Sequence, residues 1–337
     1  MKKIIITTIC ILILGSIIYS SSNSHKNPTG NKDESTKKQE VTIAMVTFPG
    51  YGPLFLAKDK GFFTDVDVNL ETIESLGDIR AAVNSGNADA YIATYDMYQS
   101  IKGQKPSGIG FLVVDESHGG DGIVVSKNIN SIKDFKGKKV GAEPGFPPYL
   151  ILQYMLNKEG MTLKDIDFKD LPTTDAGIAF VANKLDAAAI FEPSLSASSK
   201  ARSDSKILVT SSDPEIKGLV QDILFANETF IKEHPEALTK VVEGYFKALE
   251  YIKTNPEDAY TIMAKHFNVS PAEMKDFTSG ISWISKEENT SIFNKNSNVN
   301  VYKTFTLVGD LLEKNEETDV RVNSYEKLTD SILKNTK

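Results

Sequence analysis

Apolar and polar residues follow two rhythms along this chain. The run VTIAMVTF at 41–48 is apolar and β-branched, ends at Phe48-Pro49-Gly50, and predicts a strand. The next stretch, PLFLAKDKGFF at 53–63, spaces its apolar residues as a helix does and stops at Gly61. VDVNLETI alternates with period two, LGDIRAAVNSG reads as a short helix stopped by Gly86, and ADAYIA returns to strand. Strand alternating with helix predicts an α/β fold with a largely parallel sheet.

The same unit returns about a hundred residues later. KGFFTDVDVNLETIESLGDIRAAVNSGNADAYIA is echoed by EGMTLKDIDFKDLPTTDAGIAFVANKLDAAAIFEP. Asp78 and Asp89 are eleven residues apart, as are Asp175 and Asp186. Gly86 in one copy corresponds to Asn183 in the other, and both residue types tolerate a left-handed helix stop. Two similar lobes follow from this repeat. GIGFLVVDESHGGDGIVVS, between the copies, reads as a first crossing and GLVQDILFANETFIKEHPEAL as the return. The expected division is 41–115 plus 222–337 for lobe 1 and 116–221 for lobe 2, with a helical C-terminal segment that includes Trp283. Two crossings make a hinge, and small ligands commonly bind at such an interface.

The first 22 residues, MKKIIITTICILILGSIIYSSS, pair two lysines with sixteen apolar-rich positions from Ile4 to Tyr19. That pattern fits a signal peptide or membrane anchor better than a full span, which needs about 20 apolar residues. Residues 23–40 are polar and aperiodic and read as a flexible tether. Ser16 stands where a lipoprotein would carry its cysteine, so the expectation is a surface protein tethered without a standard lipobox. Cys10 is the only cysteine, which excludes an intrachain disulfide and a cysteine-based metal cluster. A net charge of −7 argues against a nucleic-acid partner. Only Arg80, Arg202 and Arg321 offer guanidinium forks, so an anion would have to rely on backbone N–H groups at helix starts.

The opening turn with AKDKGFF, then SIKDFKGKKVG, then AAIFEPSLS, resembles the solute-binding proteins of nitrate/sulfonate/taurine-type ABC importers. The similarity runs from Val41 to the C-terminus. It implies a two-lobed type II periplasmic-binding-protein architecture. It also implies a monomer that captures a small polar organic solute, taurine- or sulfonate-like, without a cofactor, and delivers it to a membrane permease. The chain has no Walker-type glycine loop, so the ATPase would be a separate protein. Relatives of this fold include pyrimidine-making enzymes that use a cysteine-rich segment, which the chain beyond Cys10 lacks. A ring compound of the pyrimidine, thiamine-precursor or riboflavin type is the alternative ligand, and a sensing role has the same sequence signature.

In this family the turn after the first strand lines the cleft, which would make Phe48 and Tyr51, around Gly50, ligand-facing aromatics. The other reading is a hydrophobic staple over the following helix. Ser75 and Phe146 mark two helix starts suited to an anion, with helix capping as the alternative for Ser75. Thr94, Tyr95 and Asp96 end a strand and should face the cleft. Ser117 and His118 should line the crossing, and a metal at His118 would be a weakly supported use of one histidine among loop acids. Glu192 suits a ligand ammonium. Phe48, Tyr51, Tyr95, Phe146 and Tyr149 would stack on a ring ligand, and Trp283 is either a further aromatic wall or core. Asp115, Asp121 and Glu143 are further acids that must be paired, wet or ligand-binding, because a buried carboxylate without a partner is costly.

Overall fold

The computed structural model describes residues 38–100 and 107–336. The leader, and the tether as far as residue 37, lie outside the described residues. Among the described residues no helix is long and apolar enough to cross a membrane. The strands in chain order are β1 (Gln39–Met45), β2 (Val66–Thr72), β3 (Ala90–Ala93), β4 (Ile109–Ser117), β5 (Asp121–Ser126), β6 (Lys139–Ala142), β7 (Asp167–Asp170), β8 (Ala187–Phe191), β9 (Ser205–Thr210), β10 (Gln221–Ala226) and β11 (Ile281–Trp283).

Two sheets share one plan. The first has the order β11-β4-β10-β3-β1-β2 and the second β7-β6-β8-β5-β9. In the first, β1 lies parallel between β2 and β3; in the second, β6 lies parallel between β7 and β8. A strand reached by a passage between the sheets then joins each trio antiparallel: β10 beside β3, and β5 beside β8. The sheets are therefore mixed rather than largely parallel. Periodicity reports the helix-connected strands but not the direction of a strand that enters from the other sheet.

The internal repeat has a physical counterpart. Asp89 accepts a hydrogen bond from the Thr42 N–H at 2.8 Å, and Asp186 accepts one from the Lys139 N–H at 2.9 Å, each across 47 residues. In both sheets this carboxylate, placed just before the third strand of the trio, pins the first. The preceding helix stops are also matched: Gly86 at φ 76° and Asn183 at φ 56° both adopt the left-handed conformation expected of them.

Helices cover the first sheet. Helix Pro235–Thr254 buries Leu238, Val241, Val242, Tyr245 and Leu249 on one face and packs on helix Gly52–Asp59. Gly244 permits the approach, since a Cβ there would sit 2.4 Å from the Phe63 ring. Tyr245 donates its hydroxyl hydrogen to the Val114 carbonyl at the centre of β4. From outside the sheet, the fully buried Asn289 clasps the same strand. Its Oδ1 accepts from the Val113 N–H at 2.8 Å and its Nδ2 donates to the Val113 carbonyl at 2.9 Å, as a paired strand would. Asn289→Ala strands both backbone groups, and each unmet buried group costs about 1–3 kcal/mol. The unfolding free energy of the variant from urea titration should fall accordingly, by about 3 kcal/mol in total, with a lower midpoint; an unchanged midpoint would mean that Asn289 does not hold β4.

Candidate functional site

Between the sheets lies a cavity of about 280 Å³. The first sheet's side supplies Val46 to Pro49, Tyr51, Thr94, Met97 and Ser117, and later Val220, Asp222, Phe277 and Ile281. The second supplies Gly120, Asp121, Phe146, Pro147, Phe191, Glu192 and Pro193. Of the expected ligand contacts, the structure thus brings together Phe48, Tyr51, Thr94, Ser117, Phe146 and Glu192. The walls are aromatic, with the Phe146 and Phe191 rings 6.4 Å apart and Phe48 edge-on to Tyr51 at 5.2 Å.

The remaining candidates serve other ends. β3 stops at Ala93 and Tyr95–Gln99 is a helical turn, so Tyr95 and Asp96 turn inward instead of ending a strand at the cleft. Tyr95 is fully buried and donates to Gln221 Oε1 at 2.6 Å. Asp96 accepts from Thr94 Oγ1 at 2.5 Å. Ser75 caps helix Leu76–Ser85 by accepting from the Asp78 N–H, away from the cavity. His118 is exposed on the passage, with its backbone N–H bonded to the Gly280 carbonyl. Tyr149 donates to Glu317 Oε1 at 2.7 Å and packs on Phe168, because its place on helix Pro147–Lys158 faces the C-terminal segment. Trp283 lies on β11 rather than in a helix, and its indole N–H donates to the Gly50 carbonyl at 2.7 Å. Gly50 is buried there, where a Cβ would lie 2.4 Å from Phe48 and 2.7 Å from Asp115 Oδ2. Glycine at 50 thus lets Asp115 approach the turn, and Trp283 holds the turn in place.

The two passages between the sheets are tied together at the cavity. Ser117 Oγ donates to Asp121 Oδ2 at 2.5 Å and lies 2.7 Å from Ser211 Oγ. Ser211 Oγ also accepts from the Gly119 N–H at 2.7 Å. Glu192 accepts from both the N–H and the hydroxyl of Ser196, in the first turn of helix Ser194–Ala201.

Asp222, the strongest signal that sequence reasoning missed, faces the cavity from β10. Its Oδ1 accepts from the Tyr51 hydroxyl at 2.8 Å. In the strand register it stands directly opposite Asp115 of β4. Burial, and then the neighbouring Asp222, push the Asp115 carboxyl well above the usual range. With both groups ionised, Asp115 Oδ2 would have no donor; protonated, Asp115 donates to Asp222, and the conflict is resolved. Burial likewise raises Asp121 to about 7 and Asp96 to about 6, in each case against a hydrogen bond that favours the carboxylate. The described residues lining the cavity include no Lys, Arg or His. Among the described residues no three His, Cys, Asp or Glu side chains converge to hold a metal ion.

These raised values make the protein less stable as pH rises. An aspartate in the unfolded chain titrates near 3.9. The folded state therefore binds more protons over the interval from about pH 4 to 7, and the contribution, full below about 4, is lost through about 7. The melting temperature should fall between pH ~5 and ~8, and Asp121→Asn should flatten that fall. A rising or flat wild-type profile over this interval would refute the account.

Residues 49–259 match the family described as NMT1/THI5 like. In structure the chain is similar to the periplasmic aliphatic sulphonate binding protein SsuA from Escherichia coli, at TM-score 0.70 and 18% identity, covering 87% of this chain and 92% of that one. It is also similar to the periplasmic nitrate-binding protein NrtA from Synechocystis PCC 6803, at TM-score 0.62 and 14% identity, covering 88% of each. In sequence it is 24% identical over 260 residues to a 4-amino-5-hydroxymethyl-2-methylpyrimidine phosphate synthase of Candida albicans (strain WO-1), spanning 72% of this chain and 74% of that protein. The architecture is that of the periplasmic-binding-protein fold.

Proposed function

Because the chain belongs to the NMT1/THI5-like family, we propose that it is an extracytoplasmic solute-binding protein of an ABC importer whose ligand is a small aromatic amine of the aminopyrimidine kind. One observation carries the choice of ligand: phenylalanine walls around a cavity whose described charged residues are all acids. The role follows from the fold and the interlobe cleft. A ligand that touches both sheets favours the closed arrangement, which a membrane permease with its own ATPase can then recognise. The described cavity residues include no lysine to hold a cofactor, and the chain from Lys38 onward has no cysteine, which supports binding over synthesis.

An aminopyrimidine fits these walls in two ways. Its π-face stacks between aromatic side chains. Its exocyclic amine donates a hydrogen bond to a carboxylate, and protonation of the adjacent ring nitrogen adds a second N–H donor on the same edge.

A bare anion does not fit. Helix Pro147–Lys158 begins at the cleft, but its first two residues are prolines without N–H groups. The next two N–H groups, of Tyr149 and Leu150, are already bonded to the Phe146 carbonyl. A sulfonate or nitrate would therefore meet carboxylates, and the first four residues of that helix offer it no free N–H. Taurine's ammonium suits the acids, but its sulfonate has the same difficulty.

Thermal shift of the purified protein against 4-amino-5-hydroxymethyl-2-methylpyrimidine, taurine, an alkanesulfonate, nitrate and riboflavin tests the proposal. The pyrimidine at 100 times its dissociation constant should add about 2.7 kcal/mol and raise the melting temperature by a few degrees. Phe146→Ala should weaken that binding about tenfold, the value of one lost stacking contact. A shift with the sulfonate or nitrate and none with the pyrimidine would reverse the ligand choice.

A further inference from the structure

The acids at the cavity are not equivalent, and their hydrogen bonds sort them. Glu192 gives both oxygens to Ser196 in the first turn of the helix that follows it. Asp121 is held by Ser117 and flanked by Ser211, which lock it to the passages between the sheets. Asp96 is turned inward beside Thr94 and does not line the cavity. Asp222 lines it, and its Oδ1 is fixed from behind by Tyr51.

We propose that Asp222 is the specificity-determining carboxylate for the ligand's amine edge, and that Asp115 is a positioning residue that carries a proton and donates it in a hydrogen bond to Asp222. This assignment rests on the amine-ligand reading above. Three facts point the same way. Strand pairing sets Asp115 and Asp222 side by side. Asp115 is 1% exposed with one oxygen lacking a donor, so an ionised Asp115 would be an uncompensated buried charge. Tyr51 already supplies Asp222 with a donor, and a second from Asp115 leaves Asp222 as the member that keeps the negative charge.

The titratable groups around the pair are Tyr51 before helix Gly52–Asp59, Asp96 on the turn after β3, Glu116 on β4, Asp121 on β5, Glu192 after β8 and Tyr245 on helix Pro235–Thr254. No Lys, Arg or His is among them. The surrounding acids disfavour a second charge on the pair, and so keep it singly ionised at neutral pH.

Calorimetric titration of the full-length protein with 4-amino-5-hydroxymethyl-2-methylpyrimidine tests the assignment. Asp222→Asn should lower affinity about 100-fold, the loss of a charge-assisted contact. Asp121→Asn and Glu192→Gln should each lower it by less than Asp222→Asn does, because Ser117 and Ser196 already engage their carboxylates. Asp115→Asn should retain affinity, because the amide N–H replaces the acid O–H as donor, whereas Asp115→Leu should lose about tenfold or more. Infrared spectroscopy supplies a readout that a merely structural role would not move. At about pH 8, above the Asp121 transition, wild type should show the carbonyl band of a protonated carboxylic acid, and Asp115→Asn should lack it. Affinity that survives Asp222→Asn, or an infrared band that survives Asp115→Asn, overturns this assignment alone. If wild type does not bind the pyrimidine, the ligand reading falls and this assignment falls with it.

Discussion

Two aspartates on neighbouring strands face each other at the base of the cleft, and much of the surrounding structure accommodates them. Asp115 and Asp222 are opposite partners in the β4–β10 ladder. Like charges in that position repel, and burial adds to the cost. The protein lowers the cost with a proton on Asp115 and a hydroxyl from Tyr51. Tyr51 reaches Asp222 because the turn before it is fixed at Gly50, where Trp283 grips the carbonyl and the missing Cβ leaves room for Asp115. The aromatic turn, the indole and the acid pair thus form one unit.

That unit exists because the chain passes between the sheets twice. β10 returns from the second sheet and inserts between β3 and β4. Without that insertion Asp222 would not meet Asp115. The passages are linked by Ser117, Ser211 and Asp121, of which Ser117 and Asp121 line the cavity. Two residues of that link thus also face the cavity proposed to take the ligand, and a ligand seated against both sheets would bear directly on it.

Family and fold leave the ligand open, since similar architectures occur in proteins named for sulfonate and for nitrate. Charge decides among ligands in a way that fold does not. The start of helix Pro147–Lys158 is one place where such a cleft could offer an anion backbone donors. Here two prolines remove N–H groups from that place and acids occupy the floor. These features are the ones that favour the electropositive edge and flat ring of the ligand proposed above.

The sequence by itself determined the βαβ trios, the internal repeat and the left-handed stops at Gly86 and Asn183, because periodicity and backbone preference act over a few neighbouring residues. It also placed Phe48, Tyr51, Phe146 and Glu192 at loops that reach the cleft, since those loops follow strand ends. Tertiary structure alone decided the direction of β4, β5, β9 and β10, which depends on partners far along the chain. It alone turned Tyr95 and Asp96 into the core, through one helical turn where a strand end was expected. Asp222 was invisible beforehand because nothing local distinguishes GLVQDILF from an ordinary strand; only its register against Asp115 gives that carboxylate its charge state and its place.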